Sequence, residues 1–389
     1  MNTTGYFTHK DCRKHEMGAG HPECPERLDA IEDWLLATGV KDALDCREAP
    51  LAPVGEIELA HDRMMIAGLR GLGAQLQDDI RAGGPTHVQI DPDTQMNEHT
   101  FSAALRSAGA ALAATDAVMA GEMENAFCAV RPPGHHACHD KAMGFCFFNN
   151  VAIAARYALK RHGLKRVAVI DFDVHHGNGT EDILKGDNRV LMVSFFQHPL
   201  YPYCGTEHPA SNMLNVPVPP YTKGMAVREM IEDQWLPRLD AFKPEMIFIS
   251  AGFDAHRDDD LGQMGLVEQD YAWITSRIKD VADGTPKAAS SRCLKVATTS
   301  THWPEVLKPT CACWRICRSY RIDAITCISA AQHRFAGRSY ADPERARYFQ
   351  CLEPAHDVRH SAGAANRPAR RRCAGGGDCC FRQSLLRGP

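Results

Sequence analysis

Apolar residues recur at helical spacing over 25–36 (PERLDAIEDWLL), 102–119 and 149–161, where positions i, i+3, i+4 and i+7 share one face. Between and after these segments stand short runs that are apolar or β-branched almost throughout: 126–130, 166–170, 189–196 and 245–250. Such runs suit strands covered on both faces. Strands alternating with helices of about 10–15 residues predict βαβ units and a largely parallel sheet, an α/β fold. Ligands of such sheets lie beyond the carboxyl ends of the strands.

Those ends carry polar residues. The first run leads into RPPGHHA with His135 and His136, the second ends in DFDVHHGNGT with Asp171, Asp173, His175 and His176, and the fourth ends in SAGFD with Asp254. Burying a carboxylate costs several kcal/mol unless it is paired or bound to a metal. In extended backbone Asp173 and His175 face the same side, so both can converge on one ion, with Asp254 as third ligand. One His and two Asp leave a position open for water, as in catalytic zinc sites. Helix capping by Asp171 or Asp173 accounts for one acceptor and leaves the two His and the second carboxylate unexplained. His135 and His136 could be surface residues of a Pro/Gly loop, but they precede GFCFFNN, an apolar lip able to exclude water. A metal-activated water needs a base and a leaving amine needs an acid, and imidazoles serve both roles. Asp171 and Asn178 are candidates to hold the two rings in their tautomers.

Composition adds a boundary. The 389 residues are 44% hydrophobic and 24% charged with a net charge of −4, ordinary for a globular protein. MNTTGYFTHKDCRKHE holds no apolar leader, and no apolar run nears the roughly 18 residues of a membrane span. A cytoplasmic protein with reduced thiols and no membrane partner is expected. Residues 284–389, however, hold 9 of the 16 Cys and 18 basic against 7 acidic residues, a charge of +11, whereas residues 1–283 carry −15.

RPPGHHA, GFCFFNN, DFDVHHGNGT and SAGFDAH together resemble the signature set of the zinc-dependent histone deacetylase family, and HPECPERL resembles that family's N-terminal segment. Asn178, where other members have Asp, resembles the class II branch. The resemblance spans about residues 5–283 and implies a three-layer α/β/α arginase-like fold, one Zn²⁺, and hydrolysis of an N-acetyl group on lysine side chains or related small amines. It implies Asp173, His175 and Asp254 as zinc ligands. It further implies His135 and His136 as the catalytic pair, with His136 the base and acid, and Asp171 and Asn178 as their orienting partners. Phe145 and Tyr201 would wall an acyl-lysine channel, Asp93 would hold substrate backbone at its rim, and Asp171, Asp173, His175 and Ser194 would bind a structural K⁺. Polyamine-selective relatives carry an acidic gatekeeper where this chain has Leu261, so acyl-lysine or a small acetylated amine is the expected substrate.

The family also requires a Gly-Gly-Tyr segment whose hydroxyl polarises the acetyl carbonyl, and nothing after Gly284 matches it. Loss of one such donor costs about 10²–10³ in rate. Read one base out of register, LKVATTSTHW can encode Leu-Glu-Gly-Gly-Tyr-Asn-Leu-Asn-Ala-Leu. Residues 1–283 are therefore expected to form a catalytic domain lacking its last strand and helix. Residues 284–389 are expected to be an out-of-frame, largely disordered tail, leaving a poorly soluble or weakly active chain. A metal knuckle at Cys311, Cys313 and Cys317, or nucleic-acid contact by Arg370-Arg371-Arg372, fits no known spacing or aromatic pattern. Two functional alternatives stand beside the deacetylase: an arginase-like ureohydrolase, which needs two metal ions, and a non-catalytic acetyl-lysine binder.

Overall fold

The computed structural model describes residues 3–284 and the backbone of residues 292–297. Its strands are β1 (Thr4–Thr8), β2 (Leu44–Glu48), β3 (His87–Asp91), β4 (Thr94–Asn97), β5 (Asn125–Ala129), β6 (Val167–Asp171), β7 (Val190–Gln197), β8 (Met213–Val218), β9 (Met246–Ala251) and β10 (Arg292–Ala297). Helices are α1 (Glu26–Ala37), α2 (Val54–Ile57), α3 (Arg63–Arg81), α4 (Thr100–Ala120), α5 (Asn150–Arg161), α6 (Asn178–Leu184), α7 (Gly224–Met230), α8 (Leu236–Phe242) and α9 (Glu268–Gly284).

Eight strands form one sheet in the order β2-β1-β5-β10-β9-β6-β7-β8, every pair parallel. β3 and β4 make a separate antiparallel hairpin. Every side chain of β5, β6, β7 and β9 is buried, as helices covering both faces of a parallel sheet require. The fold is the three-layer α/β/α arrangement that the motifs imply. Local chemistry sets the helix starts: Asp62 Oδ1 accepts from the Met64 and Met65 amides at α3, and the Asn149 side chain accepts from Ala152 N at α5. Gly121, in the left-handed region, ends α4.

The expectation that the sheet loses its strand beyond residue 283 is corrected. β10 occupies the centre of the sheet, hydrogen-bonded to β5 on one side and β9 on the other. Two buried strands with a gap between them would leave two rows of backbone N–H and C=O groups unpaired, a cost far above any local preference of the segment that fills it. The frame reading and the disorder expected of residues 284–389 otherwise concern positions outside the described residues.

Candidate active site

Three strand ends deliver the chemistry. The chain leaving β6 carries Asp173 and His175, the chain leaving β9 carries Asp254, and the loop after β5 carries His135 and His136. One oxygen each from Asp173 and Asp254 and one nitrogen from His175 lie within 4.8 Å of one another. His175 Nδ1 stands 3.0 Å from Asp173 Oδ1 and 2.9 Å from Asp254 Oδ2. Backbone amides orient both carboxylates: His175 N donates to Asp173 Oδ1 and Val174 N to Asp254 Oδ1, each at 2.8 Å. Close packing enforces this, because a Cβ at Gly252 would overlap the Asp173 carboxylate.

Such a converging set, with both carboxylates buried and His175 partly so, could hold one metal ion. Burial and the Asp173 charge push the Asp254 carboxyl up. Burial also opposes charge on Asp173, but His135 and His175 outweigh it and hold that carboxyl down. His175 is lifted to about 10, burial being outweighed by its two carboxylate partners.

The His pair stands beside it. Their ring centroids are 4.0 Å apart. His135 Nδ1 lies 3.1 Å from Asp171 Oδ2, and its Nε2 lies 3.8 Å from Asp173 Oδ2. His136 Nδ1 lies 2.7 Å from Asn178 Oδ1. The two titrate apart: burial opposes charge on His135, yet Asp173 and Asp171 raise it to about 9. Burial, then His135 and His175, hold His136 well below its ordinary value. Two rings driven in opposite directions can divide acid and base work. A cavity of about 220 Å³ opens onto Asp173, His175, Asp254, His135 and His136 and is also lined by Asp93, Phe145, Tyr201 and Leu261. Tyr201 meets His136 edge-on at 5.1 Å, and its hydroxyl is buried with no hydrogen-bond partner among the described residues.

Known proteins are similar to this chain in sequence and fold. A sequence profile described as the histone deacetylase domain matches residues 21–291. The chain belongs to the histone deacetylase family. It is 37% identical over 272 residues to the histone deacetylase-like amidohydrolase of Pseudomonas aeruginosa, covering 68% of this chain and 69% of that protein. It is 36% identical over 291 residues to a probable deacetylase of Archaeoglobus fulgidus, covering 72% and 77%. The crystal structure of the HDA15 HD domain superposes with a TM-score of 0.68 at 29% identity, covering 77% of this chain and 84% of that one. The relatives carry deacetylase or amidohydrolase names, so this family member is a hydrolase of the deacetylase kind.

Other parts of this deacetylase's site follow from its packing. Phe145 holds a left-handed φ of 66°. It is pinned by its N–H to Thr94 Oγ1 at 2.9 Å and by His21, whose ring meets it at 4.7 Å. His21 Nε2 in turn lies 3.2 Å from the Asp93 carbonyl, tying Phe145 to Asp93. Gly144 is required beside it, since at φ 57° a Cβ would come within 2.5 Å of His136 Cδ2. Ser194 faces Asp171 across the β6–β7 register and its hydroxyl lies 3.4 Å from Asn215 Oδ1.

Sequence reasoning missed a buried ion cluster that borders the cavity. Glu23 binds Arg131 through two bonds of 2.5 and 2.6 Å, Arg27 Nη1 at 3.4 Å and His15 Nε2 at 3.3 Å. Burial raises the Glu23 carboxyl, but Arg131 and then His15 more than offset it, leaving it far below the usual range. Glu23 and Arg27 both line the cavity. Each charge stands inside a quoted motif, HPECPERL or RPPGHHA, yet the pairing spans 108 residues, and no local pattern encodes it.

Proposed function

We propose that this deacetylase holds one Zn²⁺ on Asp173, His175 and Asp254 and removes acetyl groups from lysine side chains or related small amines. The observation that carries this reading is the convergence of two carboxylates and an imidazole within 4.8 Å, with two differently partnered His beside them in one cavity. Bound there, the ion would supply Lewis acidity toward the amide carbonyl and the attacking water. His136, neutral and with Nδ1 engaged by Asn178, takes a proton at Nε2 and returns it to the leaving amine. His135, paired with Asp171, keeps positive charge beside the developing oxyanion. Phe145 and Tyr201 enclose the lysine methylenes and exclude water. Leu261 offers a cationic polyamine no partner, and Asp93 accepts from substrate backbone at the rim. Asp171, Asp173, His175 and Ser194 would hold K⁺ through their oxygens.

The second reading is a non-catalytic acetyl-lysine binder, favoured by the lack of a Gly-Gly-Tyr segment after residue 284. Purified chain stripped with chelator and reloaded decides between them, by metal content and by turnover of an acetyl-lysine peptide. One zinc per chain with turnover supports the proposal. Binding without turnover selects the second reading, and two ions per chain would point to ureohydrolase chemistry. We also read the segment from residue 284 as out of frame, which resequencing codons 275–305 tests directly.

A further inference from the structure

We propose that Cys138 and Met143 are positioning residues: their sulfurs fix which way the Asn178 amide points and, through it, the tautomer of His136. This rests on His136 being the base of the proposed reaction. An asparagine side chain has two chemically opposite ends of nearly the same shape, so its partners decide its orientation. Asn178 turns Oδ1 to His136 Nδ1 at 2.7 Å. Its Nδ2 faces Cys138 Sγ at 3.4 Å and Met143 Sδ at 3.6 Å.

The two sulfurs do not accept either end equally. A thioether carries no proton, so an amide oxygen turned toward Met143 would set lone pair against lone pair, whereas N–H has an acceptor there. The Cys138 thiol directs its proton to the His136 carbonyl at 3.6 Å, which leaves its lone pairs to Asn178. Both sulfurs therefore select the amide nitrogen, and the carbonyl end is left for the imidazole. An oxygen can only accept, so His136 Nδ1 carries the proton and Nε2 presents its lone pair. With the amide reversed, Nδ2 would donate to Nδ1, the ring proton would move to Nε2, and the base would be lost.

The loop is built to hold this arrangement. Cys138 N donates to the Lys141 carbonyl at 2.9 Å, and Met143 and Cys146 exchange backbone bonds of 3.1 and 3.0 Å. An aspartate in place of Asn178 would have two equivalent oxygens and would need no such device.

The test removes the sulfurs in two backgrounds. Cys138→Ala with Met143→Leu is compared in the Asn178 protein and in Asn178→Asp. The imidazole ¹⁵N spectrum of His136 in the metal-free chain reads the tautomer directly, whether or not the enzyme turns over. In the Asn178 background we expect one tautomer to become a mixture, a shift of about 5–30-fold for two weak bonds, and kcat of the zinc-loaded chain to fall with KM held. In the Asn178→Asp background removing the sulfurs changes neither readout. Cys138→Ser, which keeps an acceptor, restores the single tautomer when Met143 is retained. If the double variant fails to fold, Met143→Leu alone is read in the same way. An unchanged tautomer after sulfur removal, or an equal effect in both backgrounds, overturns the proposal. Failure of the deacetylase reading would show instead as absent turnover with the tautomer response intact.

Discussion

Acidification should weaken this fold through His61, away from the proposed metal ligands. The ring is buried and uses both nitrogens in its neutral form: Nδ1 donates to the Cys138 carbonyl at 2.8 Å and Nε2 accepts from Asn149 N at 2.8 Å. Protonation would put a donor against the Asn149 N–H and disturb the residue that caps α5. Burial lowers its pKa from 6.5 to about 4. The unfolded chain thus binds the proton first, so the stabilisation is complete above the unfolded value of 6.5 and is lost as pH falls toward 4. Integrated over that window, the loss is about 1.4 kcal/mol at about pH 5.5 and about 2.5 kcal/mol at about pH 4.5. Urea midpoints of the wild type and His61→Gln, whose amide oxygen can replace Nε2, measure it. Wild type should lose that much more than the variant between about pH 7.5 and 4.5. Parallel pH profiles of the two proteins would refute the reasoning, whatever their absolute stabilities.

Other outcomes follow from the same structure. Glu23→Gln leaves Arg131 and Arg27 buried without their anion and should cost about 3–5 kcal/mol, read as a lowered melting temperature. Gly144→Ala should displace His136 and reduce kcat while zinc content by elemental analysis stays at the wild-type level. Leu261→Glu should shift the kcat/KM ratio toward acetylated spermidine over an acetyl-lysine peptide, and a wild type already preferring the polyamine would contradict the role given to Leu261. A chain ended after residue 284 lacks β10 and should lose cooperative unfolding by circular dichroism; retention of a full transition would show that the strand is dispensable.

Much of this was legible in the residues. The runs at 166–170 and 245–250 became β6 and β9, because strands buried on both faces must be apolar throughout. The helical segments became α1, α4 and α5, and of the His and Asp residues at the strand ends His135, His136, Asp173, His175 and Asp254 share one cavity. What was not legible depends on distant partners. β10 reads locally as part of a basic, Cys-rich tail and is a strand because β5 and β9 leave a slot for it. The Glu23–Arg131 pair joins two loops that only the fold brings together. Cys138 and Met143 look like ordinary loop residues until the Asn178 amide is placed between them.

The strand order has a consequence for biogenesis. A ribosome releases β1, β2 and β5 first, then β6 to β9, and the bridging β10 last of the described strands. Until that strand arrives β5 and β9 lack the partner that joins them, and pairing all three is a long-range step of the slow kind. Asp173, His175 and Asp254 all belong to the later half, while His135 and His136 belong to the earlier one. A nascent chain can thus assemble the proposed metal ligands before the proposed base is brought beside them, so that the site is completed only at the final seam.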